Sequence, residues 1–273
     1  VLVHGGLCDH TNLAPQLEHF GRRHRTLAVD LRGHGWSAKP QQEYTIPGFA
    51  DDLAWLCREV GLCRPVVVGH SMGGLIALDL AARYGDLPAA IVILDAPVVP
   101  PAPFAAAVRE FAAALQTPGQ GEVVRRFMGQ FVGFDDDPQR KACLLDSMAC
   151  SAQHVTASAL ANYLAFDSAA AAAACRVPVL YVSSGPWFAD VARVRELCPQ
   201  LVTAQTVGSG HYHQLEVPEQ VNAMIDRFLA VALRVPAGTA VPAVPARRPH
   251  ASAARRALAS RASGASSPSL NPS

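Results

Sequence analysis

The stretch Gly69-His70-Ser71-Met72-Gly73-Gly74 stands directly after the apolar run Pro65-Val66-Val67-Val68 and directly before a helix-like segment. G-x-S-x-G carries meaning in this strand-to-helix context, where a sharp turn strains the serine and holds its hydroxyl above the sheet edge. Small residues on both sides let the neighbouring backbones approach. Such a turn calls for a parallel sheet with helices on its faces, and the rest of the chain has that rhythm. Strands are expected at Val1–Val3, Thr26–Val29, Pro65–Val68, Ala90–Leu94, Val179–Ser183 and Thr203–Val207. Helices are expected at Ile46–Val60, Met72–Tyr84, Ala189–Cys198 and Pro218–Leu233. Strands buried on both faces read as continuous apolar runs, as PVVV and AIVIL do.

Residues 98–175 break the rhythm. They hold no good strand but four helix-length stretches, separated by TPGQG, GFDDDP and the region around Ser151. They read as a helical insertion. Its large apolar residues (Phe104, Phe111, Phe127, Met128, Phe131, Phe134, Tyr163 and Phe166) either line a pocket or pack between the helices. The acidic run Asp135–Asp137 precedes Pro138 and reads as a helix start, not a metal site. From Pro236 onward the chain is Pro, Ala, Ser and Arg with almost no large apolar residue, a composition expected to be disordered.

A serine hydroxyl needs a base to take its proton. His211 follows the last strand and the loop Gly208-Ser209-Gly210, which places it with Ser71 beyond the carboxyl ends of the strands. His213 is its rival. The oxyanion needs two backbone donors. These are expected from Met72, in the turn, and from Gly6 in His4-Gly5-Gly6-Leu7 after the first strand. Asp30-Leu31-Arg32-Gly33-His34-Gly35-Trp36-Ser37 offers an acid and a cation, but reads as a turn held by side-chain hydrogen bonds.

Composition narrows the function. Apolar residues make up 50% of the 273 and charged residues 16%, so a real core is available. Five of the 23 basic residues (Arg247, Arg248, Arg255, Arg256 and Arg261) fall after Pro236 in a stretch without acids. The remainder therefore carries more acids than bases, which offers nucleic acid nothing. No apolar run approaches the ~18–20 residues of a membrane span. Seven cysteines, without a CxxC spacing, suit reduced thiols in a cytoplasmic protein, with a Cys57–Cys63 bridge left open.

In the order HGG, DLRGHGWS, GHSMGG and GSGH, the chain resembles the α/β-hydrolase superfamily over residues 1–235. The resemblance implies an α/β fold with a mostly parallel open sheet, a core of residues 1–97 and 176–235, and residues 98–175 as a helical cap over the active site. Residues 236–273 remain the tail. The family carries two strands before the HGG strand, so the chain is expected to lack ~20–30 residues at its start. The first strand is then expected to leave an exposed edge. A missing start leaves secretion open.

The triad acid departs from the family's commonest form, a G-x-x-D after the penultimate strand. Here that strand leads into Ser183-Ser184-Gly185-Pro186-Trp187-Phe188-Ala189-Asp190, with proline where the acid would align. Some relatives take the acid from the strand after the nucleophile helix, which here ends at Asp95. Asp95 is the expected acid and Asp190 the alternative. The function implied is hydrolysis of a small or medium-sized carboxylic ester through Ser71, His211 and Asp95, with no cofactor and no metal. The alternatives are a cofactor-independent dioxygenase of the same fold and a triad-bearing small-molecule receptor.

Overall fold

The computed structural model describes residues 1–116, 119–134, 137–185 and 188–233. The expected disorder of residues 236–273 falls outside the described residues.

Six parallel strands form one open sheet: β1 (Leu2–Val3), β2 (Ala28–Val29), β3 (Val66–His70), β4 (Ala90–Leu94), β5 (Val179–Ser183) and β6 (Leu201–Gln205). Their spatial order is β2-β1-β3-β4-β5-β6. The apolar runs are continuous because alternate residues enter two different cores. In β4, Ile91 and Ile93 join the core under α2 (Ile46–Glu59) and α3 (Met72–Arg83). Ala90, Val92 and Leu94 join the opposite core, with Phe20 of α1 (Ala14–Gly21) and Val221, Ile225 and Phe228 of α11 (Pro218–Ala232). A strand alternates its side chains across the sheet, so covering both faces requires every position to be apolar.

Between β4 and β5 run α4 (Ala102–Ala114), α5 (Gln120–Met128), α6 (Pro138–Ala149), α7 (Gln153–Tyr163) and α8 (Ser168–Ala174). Among the described residues that is five helices where the spacing suggested four. The fifth, α8, packs on α3 and puts Ala171 and Ala172 into the sheet's own core. Much of α4–α6 surrounds a third cluster, in which Phe111, Leu115, Val124, Met128 and Met148 meet Cys8 and Tyr212. Asp137 caps α6 by accepting from the Arg140 amide at 2.9 Å, with Pro138 in the first turn.

Two expectations are corrected. The first strand is no edge, because β1 lies between β2 and β3; the described edges are β2 and β6. The last strand starts and ends two residues earlier than expected: β5 stops at Ser183, leaving Val207 no strand partner, and Val207 is exposed with its amide held by Gln220. Cys57 and Cys63 are free thiols, one buried and one exposed. Also, α1 and the short α10 (His213–Glu216) went unread, being too short or too mixed to show a clear period.

The order of the sheet also places the site. From β1 the chain moves outward to β2, then returns across β1 to β3 and proceeds the other way. Connections leave in opposite directions at β1 and β3, so a crevice opens beyond their carboxyl ends. The His4-Gly5-Gly6 loop and the Ser71 turn stand on either side of it.

Candidate active site

Ser71 has φ 52° and ψ −118°, a conformation L-residues rarely hold. The turn is imposed by close packing. A Cβ on Gly69 would lie 2.1 Å from the Gly73 carbonyl oxygen, and one on Gly73 would lie 2.3 Å from that of Val3. Only glycine fits at either position. The Ser71 amide donates to Leu94 O at 2.8 Å, which fastens the turn to β4. Ser71 is the N-cap of α3, at the helix's positive end. Its hydroxyl makes no hydrogen bond among the described residues and lines a cavity of about 80 Å³.

His211 lines the same cavity. Its Nδ1 donates to Asp95 Oδ2 at 2.9 Å, with His211 5% exposed and Asp95 fully buried. That leaves Nε2 as the ring nitrogen available to a serine hydroxyl. The His211 backbone is held from two sides. Its amide donates to Phe131 O at 2.9 Å, and its carbonyl accepts from His70 Nε2 at 2.9 Å. Asp95 follows β4 with φ 51°, a second strained residue at a strand end, and its amide donates to Val182 O. The expected alternative acid is elsewhere: Asp190 is exposed and caps α9 (Val191–Leu197), accepting from the Arg193 amide at 3.0 Å.

Met72 and Gly6 both line the cavity, and neither amide has a hydrogen-bond acceptor among the described residues. The Gly6 loop is fixed by His4, whose Nδ1 donates to Gly5 O at 2.7 Å while Nε2 accepts from the Leu31 amide at 3.0 Å. Leu7, next to Gly6, has φ 64°.

The surrounding histidines are held neutral. Burial lowers His4 to about 3, with His34 adding to the effect, and lowers His213 to about 4. His70 and His34 are likewise lowered by burial. His213, the sequence rival of His211, is fully buried against Thr206 and does not line the cavity. No charged side chain lines it among the described residues; His34 does, in neutral form.

Of the insertion's large apolar residues, Phe104, Phe111, Phe127, Met128, Phe131 and Tyr163 line the cavity. Phe134 instead packs in the insertion's own cluster beneath Arg140, and Phe166 packs against the sheet's core. The DLRGHGWS stretch is the turn its residues suggested. Burial opposes ionisation of Asp30, but bonds from the Trp36 amide and from His10 outweigh it and lower its pKa. Asp9, His10 and Asp30 each bring one ligand-type atom within 4.8 Å of the others. Asp9 already accepts from the Thr11 amide, Asp30 accepts from the Trp36 amide, and His10 and Asp30 bond each other, which makes them a turn brace.

Sequence reasoning missed Ser184, Phe188 and Tyr212 at the site. The first two lie in the one loop that broke the expected pattern, and that irregularity was the available signal.

Comparison with known proteins agrees with this fold. The model of a family described as "Alpha/beta hydrolase family" matches residues 1–224. A 2-(acetamidomethylene)succinate hydrolase of Mesorhizobium japonicum is 36% identical over 95 residues, 35% of this chain and 34% of that one. This match, like that to an epoxide hydrolase of Xenopus tropicalis, spans about a third or less of the relative's length. A protein named as a putative esterase/lipase from Haemophilus influenzae is 26% identical over 246 residues, covering 84% of this chain and 82% of its own. Among solved structures, a thermophilic esterase from Thermogutta terrifontis superposes with a TM-score of 0.74 at 26% identity, over 84% of this chain and 88% of that one.

Proposed function

Since the chain belongs to the alpha/beta hydrolase family, we propose that it is a serine hydrolase of small, uncharged carboxylic esters. The observation that carries this reading is the strained Ser71 sharing one cavity with a His211 whose Nδ1 is bonded to buried Asp95. Ser71 Oγ attacks the ester carbonyl while His211 Nε2 takes its proton. The oxyanion is met by the free amides of Met72 and Gly6, at the positive end of α3. His211 then gives the proton to the leaving alcohol. A water, deprotonated by the same nitrogen, frees the acid from the acyl-enzyme. Asp95 holds the imidazole in the Nδ1–H tautomer and stabilises the imidazolium. The esterase names among the relatives support this reading, as does a wall without charge among the described residues. A buried carboxylate on the substrate would have no cation to meet it.

The test is a panel of p-nitrophenyl esters of rising chain length, with a fluorophosphonate probe. Acetate and butyrate esters are hydrolysed, and mass spectrometry finds the probe on Ser71 and nowhere in Ser71→Ala. Labelling of another residue, or an unreactive serine in folded protein, overturns the reading.

The helices between β4 and β5 act as a cap in this scheme and set acyl length. Phe131→Ala enlarges the wall, so longer acyl chains gain about tenfold in kcat/KM relative to acetate. Parallel loss on all esters would return Phe131 to a packing role. Phe166 does not line the cavity, so Phe166→Ala leaves chain-length preference unchanged.

A second reading uses the same His211–Asp95 pair to deprotonate an aromatic substrate for reaction with dioxygen without a cofactor. The aromatic wall supports it. Turnover of aromatic substrates that stops under anaerobic conditions, with every ester untouched, selects it.

A further inference from the structure

The loop after β5 carries no acid that reaches His211, yet two of its residues touch the His211–Asp95 pair. Ser184 donates twice to the same carboxylate: its amide to Asp95 Oδ1 at 2.9 Å and its hydroxyl to Oδ2 at 2.6 Å. Together with His211 Nδ1 on Oδ2, three donors satisfy a carboxylate that is fully buried and has no cation beside it among the described residues. Neutral donors are what such a group needs in a dry site. Two bonds from one neighbour also fix the plane of the carboxylate. Rotation about Cβ–Cγ would break both. The sheet brings the two together: β4 and β5 are paired up to Leu94 and Val182, the Asp95 amide donates to Val182 O, and Ser184, two residues past Val182, reaches the Asp95 carboxylate.

Phe188, 4% exposed, treats the imidazole similarly. Its ring stacks on His211 with centroids 4.3 Å apart and an interplanar angle of 26°. His70 lies 4.6 Å from the imidazole, itself tied to the His211 carbonyl. Flanked by these rings, the imidazole keeps the orientation that directs Nδ1 to Asp95. An aromatic face also attracts a cation, and His211 becomes one at the moment Ser71 loses its proton.

We propose that Ser184 and Phe188 are positioning residues for the reaction: Ser184 sets the Asp95 carboxylate, and Phe188 sets the plane and charge preference of His211. The proposal rests on the serine-hydrolase reading for its kinetics, but its geometry has a readout of its own. The groups facing the pair are His70 from β3, His213 and Tyr212 beside His211, Tyr181 from β5, and Glu216 through Gly210. Burial keeps His70 and His213 neutral and pushes Tyr181 and Tyr212 up. The comparison between variants therefore reads the change made at the His211–Asp95 contact.

The experiment compares Ser184→Ala with Ser184→Thr, and Phe188→Leu with Phe188→Tyr. It measures kcat and the pH profile on p-nitrophenyl acetate, and the downfield His211 Nδ1 proton by NMR in histidine-labelled full-length protein. Ser184→Ala removes a donor from the carboxylate, so the imidazolium is held more tightly. Its acidic limb moves up, kcat falls about 10- to 100-fold, and the threonine hydroxyl restores most of the loss. Phe188→Leu removes the π face, so its limb moves down by roughly 0.4–0.7 pH units, while tyrosine keeps it in place. In both loss variants the Nδ1 resonance shifts. Opposite movement of the two limbs separates positioning from general loosening, which would move them together. Wild-type limbs and an unmoved resonance in Ser184→Ala and Phe188→Leu overturn the proposal, as does equal loss in the conservative partners. If wild-type protein hydrolyses no ester, the functional reading falls, and the resonance alone decides whether Ser184 and Phe188 hold the pair.

Discussion

Asp95→Asn lowers ester turnover by about 10³- to 10⁴-fold and leaves Ser71 in place. An asparagine oxygen can still accept from Nδ1, but its NH₂ group cannot take the place of the oxygen that accepts from Ser184. Whichever way the amide faces, a donor meets a donor, and the uncharged group no longer stabilises the imidazolium. Asp190→Asn, in contrast, keeps turnover close to wild type. Asp190 is exposed and serves only as the N-cap of α9 in this structure, and asparagine is an equally good cap. Steady-state kinetics with circular dichroism on both variants separates the two acids. Near-normal turnover in Asp95→Asn, with loss in Asp190→Asn, reverses the assignment.

Stability falls steeply on mild acidification, and the cause is the set of buried histidines. His4 and His213 ionise at about 3 and about 4 in the folded state, against 6.5 when exposed. Above 6.5 both states bind no proton at these groups, so their contribution is constant. Below 6.5 the unfolded chain takes up two protons that the folded chain refuses. Stability therefore declines as pH falls, by up to ~1.4 kcal/mol per pH unit for each group, until the folded values are reached. Between pH 7 and pH 5 the pair costs about 4 kcal/mol. For a domain of this size the melting temperature drops by about 10 °C. His34 and His70 shift in the same direction and steepen the decline. Urea unfolding at several pH values measures the slope, and His213→Gln makes it shallower by ~1.4 kcal/mol per pH unit. A flat stability between pH 7 and 5 would show that these histidines are not neutral in the folded protein.

The acid histidine effect was invisible in the sequence, where ten histidines look alike and only burial distinguishes them. The contact between Asp95 and His211 was partly legible: an aspartate ending an apolar strand has a rigid backbone, and proline stood where a loop acid would align. The loop itself read as an anomaly. Its residues matter through contacts across 89 positions, as between Ser184 and Asp95, which no local pattern announces.

Local rules in the sequence determined the strand-turn-helix around Ser71, the two-sided burial of β3, β4 and β5, and the helical character of residues 98–175. Each of these follows from period, length or the steric demand of small residues close together in the chain. Tertiary structure alone decided which strand lies at the edge, which insertion aromatics line the cavity and which return to the core, and which acid meets His211. Those outcomes depend on strand order and on the register of β4 against β5. Both are set by packing between segments far apart in sequence, where side-chain type is known but direction is not.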